Sequence, residues 1–187
     1  MPSLVKVLGF AGSLRRGSYN RATLRAAGEL LPEDMRLETF DLAPIPLFNQ
    51  DILEAGPPRA VLDFKARLAA NDGVLIVTPE YNYSIPGVLK NAIDWASRPP
   101  DTSPLNGKPV GLMGASTGQF GTVRAQTHWR NVFVFTNMLP LNKPEVLINR
   151  ARDKFDAEGR LTDEPTRQVI RNQLVAFGDW VRRLRGY

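Results

Sequence analysis

Apolar and polar positions along the chain change period repeatedly, from short continuous apolar runs to the three-to-four-residue spacing of helices. Val5 to Ala11 is an apolar run that ends in Gly12-Ser13, the pattern of a buried strand entering a loop. From Tyr19 to Leu31 the apolar Leu24, Ala27 and Leu31 keep helical spacing, and Pro32 ends the segment. Arg36 to Leu42 alternates apolar with polar and predicts a second strand. Residues 43–57 are rich in Pro, Asn and Gly and read as a loop. Val61, Phe64 and Leu68 mark a second helix. Gly73 to Thr78 is a third, β-branched strand that stops at Pro79. Pro86 opens a helix with Val88, Ala92 and Trp95 at i, i+4 and i+7. Pro109 to Ala115 is a fourth strand, followed by the loop Ser116 to Gly121 and a helix over roughly 122–137. Pro140 to Ile148 predicts a fifth strand, made irregular by Pro140 and Pro144. Residues 151–163 form a charged turn region. The last helix carries the stripe Ile170, Leu174, Phe177, Val181 and Leu184.

Strand and helix thus alternate five times, which predicts a parallel sheet covered by helices on both faces. No repeat, linker or low-complexity stretch divides the chain, so residues 1–187 are expected to form a single domain. In such sheets ligands bind at the C-terminal ends of the strands. Three loops leave strand ends there, at 12–18, 79–85 and 116–121.

The first loop, Gly12-Ser13-Leu14-Arg15-Arg16-Gly17-Ser18-Tyr19-Asn20, joins a strand to a helix N-terminus. Free N–H groups and the helix dipole favour an anion at that point. Ser13, Ser18 and Asn20 add neutral donors. Arg15 adds a charge able to hold a phosphate through two N–H groups. A phosphate monoester suits this set; a plain helix cap at Ser18 beside two solvated arginines is the competing reading. Gly12 and Gly17 have the Walker spacing, but position 18 is Ser rather than Lys, and this turn has no G-x-G-x-x-G. The second loop, Thr78-Pro79-Glu80-Tyr81-Asn82-Tyr83-Ser84-Ile85-Pro86-Gly87, is stiffened by proline at both ends. Its amides suit the edge of a planar heterocycle and its tyrosines suit stacking, although a surface turn explains the same residues. In the third loop Gly118 and Gly121 permit close backbone approach, as does any ordinary strand-to-helix connection.

Composition narrows the function classes. The 187 residues include 43% apolar and 23% charged side chains, and no apolar run nears the length a membrane helix needs. Cysteine is absent, which removes disulfides, thiolate catalysis and cysteine-ligated metals. The N-terminal stretch lacks a signal-peptide layout, and a cytoplasmic protein is expected. The net charge of +5 is spread along the chain, with Arg182, Arg183 and Arg185 clustered where a helix C-terminus favours cations. No nucleic-acid motif accompanies it; attraction of small phosphorylated molecules is the favoured use. The acidic stretch Asp153 to Asp163 fails as a calcium loop, because Lys154 and Pro165 stand where that loop needs Asp and Glu. His128, the single histidine, is expected within a helix away from the strand ends, as a structural or interface residue.

Taken together, these stretches resemble the NADPH-dependent FMN reductases, the flavodoxin-like group of quinone, azo-dye and chromate reductases. The match is carried by Pro79-Glu80-Tyr81-Asn82-Tyr83-Ser84-Ile85-Pro86-Gly87 and its continuation from Val88 to Trp95. It is carried also by Gly12-Ser13-Leu14-Arg15 with Ser18 and Asn20, by Asn106-Gly107-Lys108-Pro109, and by Lys143-Pro144-Glu145. The resemblance implies a flavodoxin-like, doubly wound α/β fold with five parallel strands in the order 2-1-3-4-5. It implies bound FMN, with Ser13, Arg15, Ser18, Asn20 and the backbone near Tyr19 on the phosphate. Pro79, Glu80, Tyr81 and Asn82 would lie along the isoalloxazine and ribityl, while Ser116 and Gly118 would close the other side. A homodimer or homotetramer is implied, with Arg124 and Glu145 at positions that pair across the tetramer in relatives. Relatives often carry smaller residues where Gln119 and Phe120 stand, so Phe120 is expected to cover part of the flavin face or, with Tyr83, to line the acceptor pocket.

The implied activity is hydride transfer from NADPH or NADH through FMN to small acceptors: quinones, azo compounds, chromate or free flavin. The flavin would carry the chemistry, so no side chain is assigned a catalytic role and no metal is expected. Glu80 is not assigned as a general base; orienting backbone or meeting a neighbouring subunit are its expected roles. A flavodoxin-like electron carrier that never oxidises nicotinamide is the rival, disfavoured by the basic charge and the 79–95 stretch.

Overall fold

The computed structural model describes residues 3–186. Strand β1 (Val5–Ala11) leads to helix α1 (Tyr19–Glu29), β2 (Met35–Phe40), α2 (Gln50–Ala55), α3 (Arg59–Ala70) and β3 (Gly73–Val77). Then follow α4 (Gly87–Ala96), β4 (Pro109–Ala115), α5 (Val123–Phe135), β5 (Leu139–Pro140), β6 (Val146–Ile148) and α6 (Glu164–Arg185). All pairings are parallel, in the order β2-β1-β3-β4-β5, with β6 also on β4. The flavodoxin-like order expected from the sequence is therefore the observed one.

The expected fifth strand is in two pieces. Leu139 and Pro140 pair with the start of β4, and Val146 to Ile148 pair with its end. Pro140 and Pro144 lack N–H donors, so an unbroken ladder is impossible there. The stretch read as a loop at 43–57 contains α2. The Asn49 side chain caps it, accepting from the Asp51 N–H at 2.8 Å. None of its six residues is buried, so it leaves no apolar period to read.

Alternate strand residues face two separate cores. Val7, Leu75, Met113 and Val146 pack with Ala27, Ile170 and Phe177 beneath α1 and α6. Leu8, Ile76 and Leu112 pack with Phe64, Leu89, Trp129 and Phe133 beneath α3, α4 and α5. The arginine cluster closing α6 ties that helix to the fold: Arg182 pairs with Asp34, and Arg185 donates to the carbonyls of Asn71 and Asp72. With every strand parallel, the C-terminal ends of β1, β3 and β4 open on one edge, and the three loops converge there.

Candidate functional site

The first loop leaves β1 by one more ladder bond, Gly12 N–H to the Val77 carbonyl at 2.9 Å. A Cβ at Gly12 would lie 2.3 Å from Leu89 Cδ1 and 2.8 Å from Pro86 Cγ, so only glycine lets this turn lie on the start of α4. Ser18 caps α1, its Oγ accepting from the N–H groups of Asn20 and Arg21 at 3.2 and 3.3 Å. The hydroxyl proton stays available as a donor. The N–H groups of residues 13–17 and of Tyr19 donate to nothing among the described residues. Arg15 donates one N–H to the Gly17 carbonyl at 2.6 Å and lies 5.8 Å from the Tyr19 ring centre.

Asn20 also has a task within the chain. Its Nδ2 donates to the Ala115 carbonyl and its Oδ1 accepts from the Ala115 N–H, both at 2.9 Å, in a site only 4% exposed. The amide imitates a strand residue and ties the first loop to the end of β4.

The second loop is rigid for several independent reasons. Thr78 Oγ1 donates to the Pro79 carbonyl at 2.8 Å and accepts from the Trp129 indole at 3.0 Å. Tyr81 and Ser84 exchange backbone hydrogen bonds at 3.1 and 2.9 Å across Asn82 and Tyr83, whose φ values are +50° and +65°. Two consecutive residues of positive φ are the mark of a tight hairpin turn. The Tyr81 hydroxyl reaches Ser13 Oγ at 3.5 Å. Glu80 turns to α5, whose N-cap Thr122 makes no side-chain cap. Its carboxylate accepts from the N–H groups of Arg124 and Ala125 at 2.9 and 3.1 Å and from the Arg124 guanidinium at 3.4 Å. That side chain is 9% exposed, so the only acid of the loop is held by a helix N-terminus and a cation. Of its two expected roles, orienting backbone is the one seen within the chain. His128 is not remote from the strand ends: its Nδ1 lies 3.0 Å from Ser84 Oγ, because α5 runs back over the second loop.

The third loop is laced to the chain after β6. Ser116 N–H donates to the Ile148 carbonyl at 2.9 Å, Arg150 N–H to Gly118 and Ala151 N–H to Ser116, both at 3.0 Å. Asn149 Nδ2 donates to the Gln119 carbonyl at 3.1 Å. Gly114, at the end of β4, has no space for a side chain: a Cβ would lie 2.0 Å from Thr122 Oγ1 and 2.4 Å from the Thr78 carbonyl. Gly118, by contrast, has room, its nearest neighbour to a Cβ being Ser116 Oγ at 3.5 Å.

These loops enclose a cleft of about 360 Å³. From the first loop it takes Ser13, Arg15, Ser18, Tyr19 and Asn20; from the second, Pro79, Glu80 and Tyr81; from the third, Ser116. Asn82 and Gly118 do not line it. Phe120 and Tyr83 are 56% and 66% exposed and flank the Arg124 guanidinium, which lies 4.9 and 3.9 Å from their ring centres. Glu145 sits apart from Arg124, beside Lys143 at 3.1 Å and Arg130 at 3.9 Å. Sequence reasoning missed Thr117 and Arg152 of the lining. Arg152 stands in a charged turn, and only the lacing of residues 149–151 brings it to the cleft.

Hydroxyls, backbone N–H groups and two guanidiniums dominate the cleft, and its only carboxylate is already engaged. That donor set fits a phosphorylated, ring-bearing ligand such as FMN. Among the described residues no group of three or more His, Asp or Glu could hold a metal, and no helix is long and apolar enough to cross a membrane.

A family model for NADPH-dependent FMN reductase matches residues 5–153. An NAD(P)H-dependent FMN reductase of Pseudomonas aeruginosa is 55% identical over 182 residues, covering 97% of this chain and 98% of the relative. A quinone reductase of Escherichia coli is 40% identical over 188 residues, covering 99% and 100%. The solved structure of FerB, a flavoenzyme NAD(P)H:(acceptor) oxidoreductase from Paracoccus denitrificans, superposes with a TM-score of 0.88 at 34% identity, covering 96% of this chain and 98% of that one.

Proposed function

As the chain belongs to the NADPH-dependent FMN reductase family, we propose that it is a single-domain, cytoplasmic NAD(P)H-dependent FMN and quinone reductase. The observation that carries the reading is the cleft at the ends of β1, β3 and β4, lined by a helix N-terminus, Ser13, Ser18, Ser116 and Arg15. Bound FMN would supply the chemistry, taking a hydride from reduced nicotinamide and passing electrons to a small acceptor.

The residues have separable tasks in this reading. The N–H groups of the first loop, Ser13, Ser18 and Arg15 hold the phosphate. Pro79 to Asn82 lie along the ring and ribityl through main-chain atoms, stiffened by the hairpin at Asn82 and Tyr83 and by the Trp129–Thr78–Pro79 chain of hydrogen bonds. Ser116 and Gly118 close the opposite side. Glu80 fixes the second loop against α5 and takes no proton from a substrate. Tyr83 and Phe120, at the rim with Arg124, border the acceptor. Membership of a reductase family favours this reading over a carrier that never oxidises nicotinamide.

A homodimer or homotetramer belongs to the same proposal. The exposed Val134 and Phe135 on α5 support it, being large apolar groups left on the surface. Arg124 and Glu145 each hold partners of their own chain, so pairing between subunits would exchange those contacts. An Arg124→Ala variant should lose tetramer on dilution, read by sedimentation velocity; an intact tetramer would count against that interface.

The test of function is an absorbance spectrum of the purified protein followed by NADPH and NADH oxidation with a quinone, an azo dye, chromate and free FMN as acceptors. A flavin spectrum and acceptor-dependent nicotinamide oxidation are expected. A firmly loaded flavoprotein that never oxidises either nicotinamide would overturn the reductase reading.

A further inference from the structure

We propose that Arg152 is a second phosphate-binding cation of the flavin site, forming with Arg15 a two-arginine clamp; this rests on the FMN reading above. A phosphate monoester carries close to two negative charges at neutral pH, about −1.5 to −2. Arg15 supplies one positive charge and already gives one N–H to the Gly17 carbonyl. The other first-loop groups on the cleft are neutral, and the carboxylate of Glu80 is balanced by Arg124 and the α5 N-terminus. The α1 N-terminus adds about half a positive charge, which leaves room for a second full cation, and Arg152 is the other cation on the cleft wall.

Three features of the chain bring it there. The backbone bonds from Arg150 to Gly118 and from Ala151 to Ser116 fix the residues just before it against the third loop. Phe155, three residues after it, packs on Tyr19 at a centroid distance of 5.2 Å, and Tyr19 in turn neighbours Arg15. The segment carrying Arg152 is thus held at the α1 N-terminus, the phosphate end of the cleft. Asp156 is taken by Arg160, and Asp163 by Lys154 and Thr166, while the adjacent Asp153 makes no ion pair with Arg152 among the described residues. Among the described residues the Arg152 guanidinium has no hydrogen bond or ion pair. Its side chain is left free for a ligand, and a guanidinium matches phosphate oxygens through two parallel N–H bonds.

The test compares Arg152→Gln and Arg152→Lys with the parent protein, each stripped of flavin and titrated with FMN and with riboflavin by fluorescence quenching. Arg152 is exposed and unpaired, so equal thermal unfolding midpoints are expected and confirm folded variants. Arg152→Gln should weaken FMN roughly 10- to 100-fold, the range for a charge-assisted bond, and leave riboflavin within about twofold. The salt dependence of FMN binding should become shallower, because one screened cation is gone. Arg152→Lys should recover part of the loss. FMN affinity within about twofold of the parent, or equal losses for both flavins, overturns the clamp while leaving the flavin reading intact. A parent protein that takes up neither flavin overturns the reading itself, and the clamp with it.

Discussion

Asn20 separates a strut from a ligand. Its carboxamide closes two hydrogen bonds with the backbone of Ala115, each 2.9 Å, where Asn20 and Ala115 are only 4% and 3% exposed. Asn20→Ala leaves a buried N–H and a buried carbonyl without partners. Each costs about 1–3 kcal/mol, so the flavin-free protein should lose about 2–6 kcal/mol of stability. That is a large part of the 5–15 kcal/mol typical of a domain. Asn20→Asp keeps the acceptor for the Ala115 N–H but turns a carboxylate oxygen on the Ala115 carbonyl, so it should rescue little. The assay is urea unfolding of flavin-free protein, with the loss appearing in the midpoint while the slope stays constant. If Asn20 were chiefly a phosphate ligand, the alanine variant would unfold like the parent and lose FMN affinity alone. A stability change below about 1 kcal/mol together with weakened FMN binding would therefore refute the strut.

Three further outcomes follow from the same geometry. Arg15→Ala should weaken FMN by about 1.5–3 kcal/mol, the value of a hydrogen bond to a charged group, and spare riboflavin; equal losses in paired titrations would contradict the phosphate assignment. Gly114→Ala would drive a Cβ into the Thr78 carbonyl and Thr122 Oγ1, so it should lower the thermal midpoint sharply and open the cleft; an unchanged midpoint would mean the strand end relaxes freely. Lys108, whose Nζ donates to the Asn71 carbonyl at 2.6 Å, has its pKa lowered from 10.5 to about 8, first by burial and then by Arg185, with Asp72 opposing. The unfolded chain binds the extra proton between those values, so stability should rise with pH across about 8 to 10.5. Urea midpoints measured over that window should flatten in Lys108→Met, and an unchanged slope would remove Lys108 as the cause.

The central strands were legible as short continuous apolar runs, since both their faces are buried, and the main helices as apolar stripes at helical spacing. Gly73 to Val77 and the stripe from Ile170 to Val181 fall where the spacing put them. Helix α2 was not legible, since none of its residues is fully buried and it is held by a cap. The fifth strand was legible as irregular, but not as two pieces, because a proline shows where a donor is missing and not which neighbours re-pair.

The sequence by itself determined the order of strands and helices, the placing of three unusual loops at strand ends, and the first loop's suitability for an anion. Those features are local: an apolar period, a serine cap, a helix N-terminus beside an arginine. The tertiary structure decided what each polar side chain is used for. Asn20 went to Ala115, Glu80 to the start of α5, His128 to Ser84, and Arg152 to a cleft whose other residues lie far from it in the chain. The physical reason is that a hydrogen-bonding group is assigned by the partner nearest in space, and parallel strands bring together residues that the sequence keeps far apart.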